Sequence, residues 1–208
     1  MPWSGAARGS PAIANPQPAI DAARIAAETD AELVVRAQAG DRTAFGVLVD
    51  RYAAVVRRVA RAVLADPDDA DDAAQDAFLS ALVKLRQYDP GRPFGPWLTR
   101  IAVNAATDRR RRRTVRRAEP LESYLPAGGT SPDAETDRRA LGLRLRQALA
   151  ELPERRRMAV VLFDVEGFTH AEVGRILGIP EGTARSEVFH ARRALRVLLS
   201  DFKEREKE

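Results

Sequence analysis

Two stretches of the 208-residue chain concentrate charge in a way that could act on a partner. Asp66, Asp68, Asp69, Asp71, Asp72 and Asp76 form an acidic cluster, and Arg109 to Arg113 form an unbroken basic run followed by Arg116 and Arg117. Gathered carboxylates can pair with a basic protein surface or attract a hard cation. A row of guanidinium groups suits phosphates. A third stretch, FTHAEVGRILGIPEGTARSEVFHARR from Phe168 to Arg193, is punctuated like a helical hairpin and ends in arginines. Charge runs also mark plain solvated helix ends, so the runs alone leave both readings open.

Other chemistries lack their residues. There is no cysteine, which excludes disulfides and thiolate metal sites, and His170 and His190 stand too far apart in sequence for a zinc site to be expected. Ser80, Ser123, Ser131 and Tyr124 have no persuasive catalytic surroundings, and the aspartates are expected to point around a helix rather than toward one metal ion. No enzyme activity, metal or cofactor is expected. No segment reaches the roughly 20 uncharged apolar residues of a membrane span. The N-terminus lacks a basic stretch followed by an apolar core, so neither a signal peptide nor membrane insertion is expected and the expected location is the cytoplasm. A net charge of +4 points weakly to a polyanion and is too small for a DNA-coating protein.

The elements that must position these residues are all helical. Residues 1–28, rich in Ala, Pro, Gly and Ser, read as a disordered tail. From Asp30, apolar residues recur at spacings of three and four through Val63, broken at Gly40-Asp41. Asp66-Pro67 ends that helix and starts another, expected from about Asp68 to Gln87, with Ala70, Ala74, Ala77, Phe78, Ala81, Leu82 and Leu85 along its inner stripe and aspartates in the dipole-favoured first turns. YDPGRPFGPW, residues 88–97, reads as a structured loop, and a helix is expected from about Trp97 into the arginine run. Residues 114–135 read as a flexible linker between a first domain, 29–113, and a second, 136–200, with a charged tail at 201–208. In the second domain, helices are expected over Leu141–Leu152 and Glu154–Val165. The fold class is therefore all-α, two small helical domains.

In the third stretch, Thr169 and Glu172 fit a capping box, so a helix begins near His170. Gly178 can supply a left-handed terminus, and Pro180 can open the next helix. Val173, Ile176, Leu177, Ala184, Val188, Ala191 and Leu195 would be buried, leaving Arg185, Ser186, Glu187, Phe189, His190, Arg192 and Arg193 outward. Helix, tight turn, helix is the DNA-reading helix-turn-helix arrangement, and also that of an ordinary helical hairpin.

Several segments, in order, resemble bacterial sigma factors of the extracytoplasmic function group. AGDRTAFGVLVDRY is similar to the family's opening helix and DADDAAQDAFLSAL to its polymerase-binding helix. PFGPWLTRIAVNAATDRRRR is similar to its promoter-melting segment, and LPERRRMAVVLFDVEGFTHAEVGRILGIPEGTARSEVFHARRAL to its upstream-element domain. The likeness runs from about Ala31 to Leu199. It implies docking on the core RNA polymerase through Asp72, Gln75, Asp76 and Phe78, with Phe78 and Leu82 shared between docking and core. It implies opening of the minus-ten promoter element by the loop Tyr88 to Pro96, with Asn104 reading a base edge and Arg100, Arg109, Arg110, Arg111 and Arg112 on phosphates. Trp97 would anchor its helix in the core. Thr183, Arg185, Ser186, Glu187, Phe189 and His190 would read the minus-thirty-five element, with Arg192 and Arg193 on phosphates. An anti-sigma protein is an implied further partner.

The chain departs from the family at Ala184, Glu187 and His190, where larger aliphatic or basic residues are usual. Glu187 weakens general phosphate attraction and can accept from a cytosine amino group. Two rival readings remain: a dimeric helix-turn-helix regulator, which leaves the acidic helix without a purpose, and a recombinase-like enzyme, which lacks a nucleophile.

Overall fold

The structure, a computed structural model, describes residues 28–64, 66–116 and 134–205. The predicted N-terminal tail to residue 27, the middle of the predicted linker and the last three residues lie outside these. Every regular element among the described residues is helical.

Among the described residues, four helices make the first unit: α1 Asp30–Gln38, α2 Arg42–Val63, α3 Pro67–Lys84 and α4 Phe94–Arg116, with a 3-10 turn, Leu85–Gln87, closing α3. Their starts are written in side chains. Thr29 and Glu32 form a capping box at α1, Asp41 accepts from the backbone of Thr43 and Ala44 at α2, and Asp66 caps α3 with Pro67 in its first turn. Helix α4 begins at Phe94, three residues before the expected Trp97. Its Pro96 falls in the first turn, where backbone N–H groups have no partner inside the helix, so the proline costs no bond. The predicted loop is accordingly shorter, 88–93. Helix α3 buries an all-alanine stripe, Ala70, Ala73, Ala74, Ala77 and Ala81. Such small side chains let α2 and α4 approach closely around Leu48, Val56, Val59 and Leu98.

The second unit has α5 Ala134–Glu151, α6 Glu154–Val160, α7 His170–Leu177 and α8 Glu181–Arg205. Helix α5 starts inside the expected linker, seven residues before Leu141. Residues Val161–Val165 continue α6 as a π turn, a form that often marks functional segments. The α7–α8 corner follows its local chemistry. The Thr169–Glu172 capping box is present and Gly178 is left-handed at φ +68°. The Ile179 N–H reaches back to the Gly174 carbonyl at 2.9 Å, the hydrogen bond of a Schellman ending. A Cβ on Gly174 would lie 2.7 Å from the Ile179 carbonyl oxygen, so only glycine fits there.

The two units do not keep separate cores. Met158, Ala159, Leu162, Val173, Ile176, Ala184 and Val188 belong to the same buried cluster as the first unit's residues, while Leu152, Val160 and Ala191 form a small satellite. Helix α7 lies on α4, and α6 lies on α2. Three polar contacts accompany this packing. Arg58 grips Glu166 with both arms, at 2.6 and 2.7 Å. Arg110 pairs with Glu154. Arg157 donates to the Ala62 carbonyl at 2.6 Å, and burial lowers its pKa from the usual guanidinium range.

Candidate polymerase and promoter interfaces

The alanine stripe of α3 decides what its other face shows. Asp72, Gln75 and Asp76 are exposed, and one turn on stand Leu79 at 63%, Leu82 at 47% and Val83 at 79% exposure. Leu82, expected on the inner stripe, faces out instead, because the run of buried alanines sets the inward direction. Phe78 is half-buried and packs against the core. Leu79 and Val83 escaped the sequence reading. Their signal was the spacing of three and four residues from Asp72 and Asp76 onto the face opposite the alanines.

The aspartates are not solitary. Arg109 contacts Asp69 at 3.0 Å, Asp72 at 2.5 Å and Asp76 at 3.7 Å. Arg113 pairs with Asp69 and lies 3.4 Å from Asp66. The hydrogen bond that Arg109 donates to Asp69 and the neighbouring carboxylate charges hold the Arg109 pKa above its usual value. The acidic cluster and the basic run, read in sequence as surfaces for two partners, thus form one network across α3 and α4. Its pairs are about a third exposed on the arginine side, so each is worth no more than about 1 kcal/mol.

Further along α4, Arg100 and Asn104 are exposed one helical turn apart. Arg111 and Arg112 are exposed at the far end, and Arg111 is only loosely paired with Asp108, at 4.0 Å. The loop before α4 turns its aromatics inward. Tyr88 and Phe94 are buried, and Trp97 packs on both, with ring centroids 4.5 and 5.5 Å away. Trp97 is the expected core anchor. The Tyr88 hydroxyl donates to the Arg92 carbonyl, closing the loop on itself. Burial pushes the pKa of that hydroxyl up to about 12. The aromatics are committed to the core, while Asp89 and Arg92 are exposed on the loop.

Helix α8 buries Ala184, Val188 and Ala191 and presents Arg185, Ser186, Phe189, His190, Arg192 and Arg193, with Thr183 half-buried. Phe189 is 62% exposed, with an edge contact to His190. Glu187 is less free than its spacing suggested. Its side chain is 19% exposed, and Arg156 Nε lies 3.3 Å from Oε2. Arg192 is held by Asp164 and lies 5.2 Å above the Phe163 ring, which stacks on His170. Arg185 pairs with Glu181 at 3.0 Å. Four of the predicted DNA contacts, Arg109, Arg110, Arg185 and Arg192, therefore begin closely paired with the chain's own carboxylates, and Arg111 begins loosely so. None of the predicted residues is misplaced into the core; they lie on α3, on α4 and on α8, with Arg109 tying the α3 and α4 groups together.

The family model for Sigma-70 region 2 covers residues 48–116, and that for Sigma-70 region 4 covers residues 142–195. The chain is 39% identical over 171 residues to the ECF RNA polymerase sigma factor SigM of Mycobacterium tuberculosis, spanning 82% of this chain and 85% of that protein. It is 35% identical over 178 residues to the ECF RNA polymerase sigma-E factor of Escherichia coli, spanning 80% and 92%. Among solved structures, CnrH in complex with the cytosolic domain of CnrY superimposes with a TM-score of 0.66 at 28% identity, covering 84% of this chain and 99% of that one. The sigma factor RpoE of Bartonella quintana, in complex with the anti-sigma factor NepR, gives 0.59 at 27% identity over 75% and 96%. A chain whose two helical units match these two regions in order, at this identity and coverage, belongs to the extracytoplasmic function group of bacterial RNA polymerase sigma factors.

Proposed function

We propose that the described surfaces divide the work of promoter-specific initiation. The outward stripe of α3, Asp72, Gln75, Asp76, Leu79, Leu82 and Val83, with Phe78 at its edge, docks on the core polymerase. Its carboxylates meet basic residues and its apolar end supplies area that excludes water. The loop 88–93 and the exposed face of α4 open the minus-ten element: Arg100, Arg111 and Arg112, joined by Arg109 and Arg110 once released, hold phosphates, and Asn104 reads a base edge. Helix α8 enters the major groove at the minus-thirty-five element, where Thr183, Arg185, Ser186, Glu187, Phe189 and His190 meet bases and Arg192 and Arg193 meet phosphates. The units divide at about residues 29–113 and 136–200. The protein works by binding, with no catalytic chemistry of its own, alongside polymerase in the cytoplasm. Because CnrH has been solved with the cytosolic domain of CnrY and RpoE with the anti-sigma factor NepR, an anti-sigma protein is the expected regulator.

The observation that carries this reading is the α3 stripe. Two large apolar side chains more than half exposed, continuous with carboxylates and opposite an alanine seam, have no use in a free-standing DNA-binding regulator. A geometric consequence follows. Elements named for positions ten and thirty-five are about 25 base pairs apart, roughly 85 Å at 3.4 Å per step. With α7 seated on α4, the units cannot span that length. Promoter binding therefore requires them to part. Reconstitution with core polymerase and sequencing of transcript 5′ ends tests the function. The expected result is a defined set of starts preceded by two elements at fixed spacing. Starts unchanged from those of core polymerase alone would overturn it.

A further inference from the structure

Helix α1 has no part in the function proposed above, yet one of its side chains reaches into the strand-opening region. Gln38, the last residue of α1, donates through Nε2 to the Leu85 carbonyl at 2.8 Å and to the Tyr88 carbonyl at 2.7 Å. These two carbonyls bracket the 3-10 turn that ends α3 and the first residue of the loop leading to α4. The last carbonyls of a helix have no partner within it. Here one amide, from a residue 47 and 50 positions earlier, supplies two donors at once. The Tyr88 N–H also returns to the Leu85 carbonyl at 3.0 Å, so the three groups form a closed knot. The far end of the same helix braces the loop's other side. Asp30 accepts from the Tyr52 hydroxyl, and the Tyr52 ring packs edge-on against Phe94, the first residue of α4. Between these two ties the chain from Leu85 to Phe94 has a fixed departure and a fixed return.

We propose that Gln38 is a positioning residue for promoter opening: its amide fixes where loop 88–93 leaves α3, so that the loop meets the separating strand already in shape. This rests on the reading of the loop and α4 as the strand-opening segment. The physical need is specific. Contacts to an extruded base must offset the loss of stacking and pairing. Each loop residue that has to be ordered at that moment subtracts from the gain. A loop closed by Tyr88 onto Arg92 and tied at its root by Gln38 has that ordering already done. Duplex binding and polymerase docking use other surfaces and do not draw on it.

The test uses holoenzyme reconstituted with wild-type chain, Gln38→Glu and Gln38→Ala, on a promoter identified by start-site sequencing. Gln38→Glu keeps size and shape but turns an acceptor oxygen toward two carbonyl oxygens. Gln38→Ala removes the donor without adding charge and serves where the glutamate variant fails to fold. Permanganate reactivity of unpaired thymines reads the opening rate on the duplex and on the same promoter with a mismatched, pre-opened minus-ten region. The expected result is an affinity for core polymerase within about twofold of wild type, duplex opening slowed about tenfold for the loss of two hydrogen bonds, and wild-type behaviour on the pre-opened template. Opening of the duplex at the wild-type rate overturns the inference. So does an equal defect on both templates, which would mark Gln38 as merely structural. A wild-type holoenzyme that leaves the duplex closed refutes the proposed function itself, and the inference with it.

Discussion

Breaking the ion pair between the two units should release them. Glu166 buries its carboxylate to 1% exposure, and Arg58 supplies two hydrogen bonds from the other unit while staying 49% exposed. Removing one partner of a fully buried pair costs about 3–5 kcal/mol, because the other charge is stranded. Water around the outer half of Arg58 screens the pair, which brings the figure to about 2 kcal/mol. The penalty applies only while the units are closed, since parting returns Glu166 to water. Arg58→Ala should therefore shift the closed-to-open equilibrium about thirtyfold toward open. The chain has no cysteine, so cysteines introduced at the exposed Arg42 and Arg196 can carry a donor and an acceptor dye specifically. The free variant should show lower transfer efficiency than wild type and tighter binding to core polymerase, whose docking parts the units. The exchange Arg58→Glu with Glu166→Arg should restore the wild-type distance. If transfer and core-polymerase affinity both stay at wild-type values in Arg58→Ala, the units are not held by this contact and the reasoning is wrong.

Four further outcomes are expected. Gly174→Ala drives a Cβ to 2.7 Å from the Ile179 carbonyl, so chemical denaturation should show a loss of about 2–3 kcal/mol, with upstream-element binding weakened more than core-polymerase binding. Val83→Asp, at a side chain 79% exposed, should leave thermal stability within about 0.5 kcal/mol of wild type yet weaken core-polymerase affinity tenfold or more in a fluorescence titration; an unchanged affinity would remove the apolar end of α3 from the docking surface. Arg109→Ala should cost the free chain about 1 kcal/mol and make the salt dependence of holoenzyme–promoter binding shallower by about one phosphate contact, a slope change near 0.9; an unaltered slope would mean that Arg109 stays with its aspartates. Glu187→Ala should relax preference for cytosine at one position of the upstream element, with Arg156→Ala acting at the same position through the 3.3 Å contact; uniform tightening on every sequence would show that Glu187 acts only as a repelling charge.

The features legible in the sequence are those set by neighbours along the chain. Thr169 with Glu172, Gly178 and Pro180 each act within one helical turn, and the α7–α8 corner forms where they place it. The start of α4 was missed for an equally local reason: Pro96 breaks a helix interior but is free in a first turn, and composition does not say which applies. Long-range partners carry no such mark. The spacing of Val173 and Ile176 says that one face of α7 is buried, not that the seat is shared with α4. Asp72 and Arg109 each announce a charge, but only the fold brings them together. Glu187 was legible as an unusual carboxylate, while its tie to Arg156 depends on where α6 lies against α8.

The most direct measurement is a titration of the doubly labelled chain, free of any other partner, with purified core RNA polymerase, following transfer between the two units. The expected result is a saturable, stoichiometric fall in transfer as α3 docks and the second unit swings away. A signal unchanged up to micromolar polymerase, with no comigration of the two proteins, contradicts both the docking surface on α3 and the opening that promoter recognition requires.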